Sequence, residues 1–495
     1  MDDRTPVIVG VGQVQGAEGA AEPVDLVVAA ALRAFEDCGT HALPVELVAL
    51  TKIGTQRYRN APRRVAQRIG RAEARTLQVQ HGGHTTQVIL CQLAEEIAAG
   101  RLRGALLAGG ELGSLLRSGR SDSDTGTPVV GGEPDADAPW PDLALGDDLV
   151  QWVGHPHEVA LGIAEPIQMY PLMETALGAA LGRSREEHVA SISRLWSRMS
   201  EVAARNPYAA DRRGYSPDEI ARSDPSNRHV GFPYTKLMNS NQFVDQGAAI
   251  LLCSVGVARA LGIAPERWVF PWAGVSAHEP FVSERWHLHE SRALAVAGRA
   301  LEERIGRRLA DAELVDLYAC FPFAVQAQAR ALALASDAVP TLTGGMRFAG
   351  GPWNNYGTHM VANVVTHVRA RPEALAIAST NGGFASRFCV VAYGGRPNPD
   401  GFRPLPAPFA DPGPRRPLVA APSGHGRIEG YTIPHDRRRA PSHAIAACRL
   451  ADGARAWARI ESTIDVEAML AADPIGWGVE FGAEGARLVG PGGVD

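Results

Sequence analysis

Runs of uninterrupted apolar residues alternate along the chain with stretches whose apolar positions recur at helical spacing. Pro6-Val7-Ile8-Val9-Gly10-Val11-Gly12 is apolar throughout, the pattern of a strand covered on both faces. Asp25 to Asp37 has helical spacing, and Glu46-Leu47-Val48-Ala49-Leu50 returns to a strand. Thr76-Leu77-Gln78-Val79-Gln80 predicts a further strand. The turn His81-Gly82-Gly83-His84-Thr85-Thr86-Gln87 follows, then a helix over Val88 to Gly100 and a buried strand over Gly104 to Gly110. This alternation predicts a parallel sheet with helices on both faces.

The pattern breaks from about Gly119 to Asp148, where Gly, Pro and Asp predict a surface loop. Residues 155 to 235 read as mainly helical, with Ser184 and Glu187 forming a capping box. Asp245 to Cys253 is again a buried strand with its lead-in. The second half then echoes the first. A helix over Gly298 to Glu303 precedes Glu313-Leu314-Val315-Asp316-Leu317, as Ala29 to Glu36 precedes Glu46 to Leu50, which points to internal duplication. Nine prolines between residues 396 and 424 predict a linker or surface strap. Beyond it come short strands over Gly426 to Ile433, Ala444 to Leu450 and Ala456 to Ile460, with an Asp452-Gly453 hairpin signal. They predict a small β-barrel of OB-like type.

Composition narrows the class. With 495 residues the chain needs two or three domains. It is 45% hydrophobic and 21% charged, as in an ordinary globular protein. A net charge of −5 gives no reason to expect nucleic acid as a partner. The six cysteines are widely spaced without a Cys-x-x-Cys pair, which predicts buried reduced thiols, with no disulfide framework or metal site. The start Met1-Asp2-Asp3-Arg4 is unlike a secretory leader, and no apolar run reaches membrane-spanning length. The expectation is a cytoplasmic protein with no membrane partner.

The chemistry centres on the turn at His81–Gln87. A strand, a Gly-rich turn and a helix start bring backbone N–H groups together where an anion or oxyanion can sit. No nucleophilic side chain stands there; the turn carries glycine and histidine.

Several landmarks together resemble the thiolase superfamily, specifically thiolase-like proteins near the sterol-carrier-protein thiolases that carry an added C-terminal domain. They are Val7 to Gly12, the turn and helix ending Ile97-Ala98-Ala99-Gly100, Asn239-Ser240-Asn241 with Asp245 to Ala249, Leu317 to Phe321, Gly344-Gly345 with Gly350-Gly351-Pro352, and Asn381-Gly382-Gly383. The resemblance covers residues 5–395. It implies a duplicated thiolase fold, an α/β five-layer αβαβα sandwich with a helical loop domain and a small C-terminal β domain. The implied divisions are 1–118 with 236–272 for the first half, 119–235 for the loop domain, 273–395 for the second half, 396–424 for the linker and 425–495 for the added domain. It also implies an acetyl-CoA acetyltransferase-like protein whose ligand is an acyl-CoA or CoA, with no tightly bound cofactor and a possible homo-dimer through the first-half sheet edge.

The sequence departs from the family pattern at four catalytic positions. Gly83 stands where the family has its nucleophilic cysteine, Gly351 where it has the activating histidine, and Asn381 where it has the second cysteine. Of the His-Asp-Cys-Phe motif only Cys320-Phe321 remains, behind Tyr318-Ala319. Conventional thiolase chemistry is therefore not expected. Cys91 lies eight residues along the helix, about 12 Å from Gly83, and reads as a core thiol.

Two roles are open to each remaining candidate. His81 and His84 either fill the turn or, as for His84 beside the carbonyl, serve as acid–base groups. Tyr318, Tyr356 and Cys320 are either core side chains or proton donors. Some thiolase-like proteins without the cysteine act as retro-aldolases through tyrosines, with an OB-like partner domain. Gly83, Asn241, Asn354 and Gly383 are candidate substrate or oxyanion donors, or turn-forming residues. The seven arginines between Arg57 and Arg75 form a salt-bridged helix face or a grip for CoA phosphates. Two functions follow from different classes: cysteine-independent aldol-type chemistry on acyl-CoA thioesters, or non-catalytic binding of such thioesters as a scaffold.

Overall fold

The computed structural model describes residues 1–16, 18–79, 81–117, 134–145, 154–335, 339–483 and 485–491. The first half contributes β1 (Pro6–Gln15), β2 (Leu47–Leu50), β3 (Arg75–Val79), β4 (Gly104–Leu112) and β5 (Leu143–Leu145). The inserted segment contributes β6 (His229–Phe232) and β7 (Tyr234–Thr235), and β8 (Asp245–Ser254) returns to the first half. The second half holds β9 (Phe270–His278), β10 (Leu314–Leu317), β11 (Ala376–Gly382) and β12 (Arg387–Gly394). β13 (Phe409–Ala410) lies in the proline-rich segment; β14 (Gly424–Pro434), β15 (Ala444–Leu450), β16 (Arg455–Ile460), β17 (Gly478–Gly482) and β18 (Gly485–Gly490) complete the chain.

Duplication is written in the strand order. The first sheet runs β1-β8-β4-β2-β3-β5 and the second β10-β11-β12-β9-β13. In each, the strand after the outer helix pairs in parallel with the next strand, which pairs antiparallel with a third, which pairs antiparallel with the first strand of the half. In the first sheet these are β2, β4, β8 and β1; in the second they are β10, β11, β12 and β9.

Two helices lie between the sheets. Thr85–Ala98 packs on β8 and β9, and Tyr356–Ala370 packs on β8 and β11. Both bury side chains on nearly every face, including Ile89, Leu90, Leu93 and Ile97 in one and Met360, Val361, Val364 and Val368 in the other. The outer helices Pro23–Cys38 and Arg292–Ile305 cover one sheet each. A Cβ at Gly12 would lie 2.1 Å from the Ala30 carbonyl oxygen, so the glycines of β1 serve close packing of the outer helix and carry no dinucleotide role.

The segment read as a surface loop holds a surprise in its described part. Leu143–Leu145 forms β5, in parallel with β3 at the edge of the first sheet. Asp142 anchors it by accepting from the Thr76 backbone N–H at 2.7 Å and the Thr76 hydroxyl at 2.8 Å. Three residues are too few for a strand period to register in the sequence. Residues 118–133 and 146–148 of that loop lie outside the described residues. The arginine-rich helix is tied internally, with Arg63 on Asp142, Arg64 on Glu22 and Arg68 on Asp25. Such half-exposed pairs contribute about 0–1 kcal/mol each.

The proline-rich segment is a strap along β9. Trp272 donates its indole N–H to the Arg396 carbonyl, and Phe409–Ala410 pairs with Ala277–His278. The final strands have the order β16-β15-β14-β17-β18, with β6 also pairing β14. The expected OB-like barrel is not what the described strands build: no β16–β18 ladder closes a ring. β14 pairs its far end, Ile433–Pro434, with β6 of the inserted segment. Gly430 permits the close approach of helix Pro166–Ala180, since a Cβ there would meet the Leu172 carbonyl at 2.9 Å.

One buried cation locks the added sheet to the second half. Arg455 has no exposure and donates to the carbonyls of Val282, Ser283 and Arg285 at 2.6–3.2 Å, while its Nε pairs with Glu429 at 2.6 Å. Trp457 donates to the Ser283 hydroxyl at 2.8 Å. Arg455→Ala strands these acceptors, so unfolding followed by urea and tryptophan fluorescence is expected to show a loss of about 3 kcal/mol.

Candidate active site

β3 ends at the turn because Gly82 adopts φ +146, a conformation closed to other residues. The Thr85 hydroxyl and backbone N–H both donate to the Gly82 carbonyl and start the central helix. The turn is pinned from the other repeat. Asn354 accepts from the Gly82 N–H at 2.9 Å and donates to the Lys52 carbonyl at 3.0 Å, with His81 Nδ1 3.3 Å from its amide nitrogen. Asn354 thus has its amide engaged in holding the turn.

At Gly83 the two repeats touch. A Cβ on Gly83 would lie 2.2 Å from the Tyr318 hydroxyl oxygen and 2.4 Å from the Asn381 carbonyl oxygen. The space of the missing nucleophile is filled by a phenol from the opposite half. Tyr318 donates to the Trp353 carbonyl at 3.4 Å, and Tyr356 meets its ring edge-on at 5.3 Å between centroids. Burial raises the phenols of both tyrosines, so each is a protonated donor at neutral pH.

The His84 ring packs beside Gly82 and Gly382. Its Nδ1 would be 2.5 Å from a Cβ on Gly382, and that nitrogen is buried without a partner among the described residues. Burial, then the fields of His278 and Arg387, lower its pKa to about 3. Burial and Lys52 lower His81 to about 4. Both rings are neutral at pH 7.

Cys320 is buried, and desolvation raises its thiol to about 12, so it is no thiolate at neutral pH. Its sulfur lies 3.8 Å from the amide nitrogen of Asn381. Cys91 is a buried core thiol beside Gly274. Gly351, at the lost histidine position, donates its N–H to the Asn241 carbonyl at 2.8 Å, while Asn241 Oδ1 accepts from Phe243 N–H at 3.2 Å. Asn241 therefore supports the Gly350–Pro352 loop. Gly383, at φ +62, gives its carbonyl to Tyr170 at 3.1 Å.

Gly83, His84, Tyr318, Tyr356, Cys320 and the backbone before Gly383 are thus brought into one region, whereas Asn241 serves the neighbouring loop. Tyr170 was not legible in the sequence. It rises from helix Pro166–Ala180 of the inserted segment, stacks on Phe321 at 4.5 Å and reaches Asn381 at 3.0 Å. Nothing in its helical context separates it from a core aromatic. Glu111 was also missed: it accepts from Gly54 N–H, Thr55 N–H and the Thr55 hydroxyl at 2.7–2.9 Å and shapes the loop next to Trp353. Burial raises it to about 7. Among the described residues no group of three or more His, Cys, Asp or Glu is placed to hold a metal ion.

Two stacked repeats meeting at a strand–glycine–helix elbow define a thiolase-type fold, here with its nucleophile position empty of a side chain. Comparison with known proteins bears out the fold. The family model for the additional C-terminal domain of thiolase-like protein type 1 matches residues 404–486. A monomeric SCP2-thiolase-like protein type 1 from Mycobacterium smegmatis is 31% identical, with 99% of this chain and 100% of that one covered at a TM-score of 0.81. The dimeric peroxisomal thiolase of Saccharomyces cerevisiae, at 13% identity, shares the fold over 80% of this chain and 98% of its own with a TM-score of 0.57. The Ltp2-ChsH2(DUF35) aldolase, at 16% identity, does so over 79% and 98% with a TM-score of 0.57. No curated protein matches the sequence. The chain belongs to the thiolase superfamily, among the SCP2-thiolase-like proteins of type 1 that carry an additional C-terminal domain.

Two measurements check the site. Gly83→Ala drives a methyl into the Tyr318 phenol and is expected to cost about 1–3 kcal/mol, read from thermal unfolding. Selective 15N-histidine NMR is expected to show the His84 and His81 rings neutral from pH 8 down to pH 5, whereas an exposed ring titrates near 6.5.

Proposed function

We propose that the protein acts on acyl-CoA thioesters by acid–base chemistry without a covalent cysteine, cleaving or forming a carbon–carbon bond of aldol type. The observation that carries this reading is the overlap at Gly83. A protonated phenol lies beside Gly83, the position that corresponds to the family's nucleophile, and the neutral His84 imidazole lies beside Gly382. The fold is shared with an aldolase assembly, which supports the reading.

In the cleavage direction, His84 takes the proton of a 3-hydroxyl group, the C2–C3 bond breaks, and C3 leaves as a carbonyl compound. The bond electrons pass to C2 and the thioester oxygen. Tyr318 donates to that enolate and delivers its proton to C2, and the proton on His84 returns to the phenolate. Backbone N–H groups at Gly83 and Gly383 are the candidate oxyanion donors, preorganised by the turn. Coenzyme A is then a part of the substrate, and no tightly bound cofactor takes part.

A second reading has its own observation. Burial holds Tyr318, Tyr356 and Cys320 in their neutral, protonated forms, which suits a site that binds a thioester without turning it over. A panel of 3-hydroxyacyl-CoA and 3-ketoacyl-CoA thioesters followed by mass spectrometry separates the two. Aldol products are expected, and Tyr318→Phe is expected to lower kcat/KM by about 10²–10⁴-fold. Binding with no product across the panel favours the scaffold. Stoichiometric acylation of Cys320 or Cys91 would contradict both.

The family resemblance puts homo-dimer pairing at an edge of the first-half sheet, and on one side of that sheet β3 is covered by β5. This supports a protein working as a single copy, and light scattering is expected to give the mass of one chain, 52.6 kDa.

A further inference from the structure

We propose that the carboxamide oxygen of Asn381 recognises the hydroxyl of a 3-hydroxyacyl thioester, and that Tyr170 is the positioning residue that aims it. This rests on the acyl-thioester reading above and names the substrate feature the site selects.

The hydrogen bonds around Tyr170 fix which way the Asn381 amide faces. The phenol oxygen accepts from the Ala385 N–H at 3.1 Å, a group that can only donate. Its single proton goes to the Gly383 carbonyl at 3.1 Å, a group that can only accept. At Asn381, 3.0 Å away, the phenol can therefore only accept again, so the amide nitrogen must face it. Cys320 Sγ lies 3.8 Å from the same nitrogen and can accept from it, while the Tyr170 contacts alone set the orientation. Turning the amide over would set two acceptors against one phenol proton and leave one of them unmet, at about 1–3 kcal/mol.

The consequence falls on the other end of the amide. Asn381 is 2% exposed, and its Oδ1 is buried with no partner among the described residues. A fixed, buried acceptor calls for a donor. The place is right for a substrate: the Asn381 carbonyl flanks Gly83, and His84 Nδ1 packs against the next residue, Gly382. In the bound state before cleavage, a 3-hydroxyacyl chain supplies an O–H donor there, and its hydroxyl turns that one proton to His84 only when the C2–C3 bond breaks; a 3-ketoacyl chain offers only another acceptor and a saturated chain offers nothing. A site that hydrogen-bonds a hydroxyl discriminates against analogues without it, because its own polar group is left unmet.

The test is a binding measurement, separate from turnover. The full chain is titrated calorimetrically with 3-hydroxybutyryl-CoA, butyryl-CoA and acetoacetyl-CoA in the Tyr318→Phe background, so that cleavage does not intervene. The hydroxy thioester is expected to bind about five- to tenfold tighter than butyryl-CoA, with acetoacetyl-CoA weakest. Asn381→Leu is expected to remove that preference while butyryl-CoA affinity persists. Tyr170→Phe, which keeps the ring stack on Phe321, is expected to reduce the preference by freeing the amide to turn, and it serves as the second variant should Asn381→Leu not fold. A hydroxyl preference unchanged in both variants, or absent from the parent, overturns the inference and leaves the acyl-thioester reading standing. Failure of every CoA thioester to bind overturns both.

Discussion

Gly83 and the Tyr318 phenol claim one small volume at the contact of the two repeats, and the arrangement of the surrounding side chains depends on that overlap. The turn brings backbone N–H groups and a helix start together as in an enzyme with a nucleophile at this point. The opposite repeat then fills the nucleophile's place with a hydroxyl 2.2 Å from where a Cβ would stand. Restoring a cysteine by one substitution would not rebuild the older chemistry, since the phenol and the Asn381 carbonyl both block it. Residues on facing elements, one from each repeat, together set what fits beside Gly83.

The overlap is held by contacts from both repeats and the inserted segment. Asn354 pins the turn from one side, and Gln87 fastens the helix start to the Ala378 carbonyl and the Tyr393 hydroxyl on the other. Helix Pro166–Ala180 carries Tyr170 to Asn381 from its inner face and meets β14 through Thr175, which donates to the Tyr431 carbonyl. Arg285 joins the same frame, donating to the Phe384 and Ala385 carbonyls at 2.7 Å, beside the Ala385 N–H that binds Tyr170. Arg455 reaches from the added sheet to the Arg285 carbonyl. The added domain is thus linked to the Asn381 amide through a short run of buried hydrogen bonds, and its loss would disturb the site without any of its side chains entering it.

Much of the fold was legible because long buried strands and all-apolar helices leave strong patterns. The helix–strand echo between residues 29–50 and 298–317 correctly indicated a repeated sheet order. The elbow was legible from Gly82-Gly83, and the core role of Cys91 from its helical position. Where the reading went astray, the signal was too short or lay in pairing. β5 is three residues, and β14 takes β6 as a neighbour, a contact about 200 residues away in sequence, while no β16–β18 ladder is present among the described residues.

The sequence by itself determined the duplicated α/β architecture, the strap, and the presence of Gly83 with Tyr318, Tyr356 and Asn381. These are matters of local pattern and residue identity. Only the tertiary structure decided that Tyr318 occupies the volume beside Gly83, that Asn354 and Asn241 are spent on backbone, and that Tyr170 orients Asn381. Each depends on segments tens to hundreds of residues apart meeting within hydrogen-bond distance, and on which donors and acceptors are already satisfied when they meet.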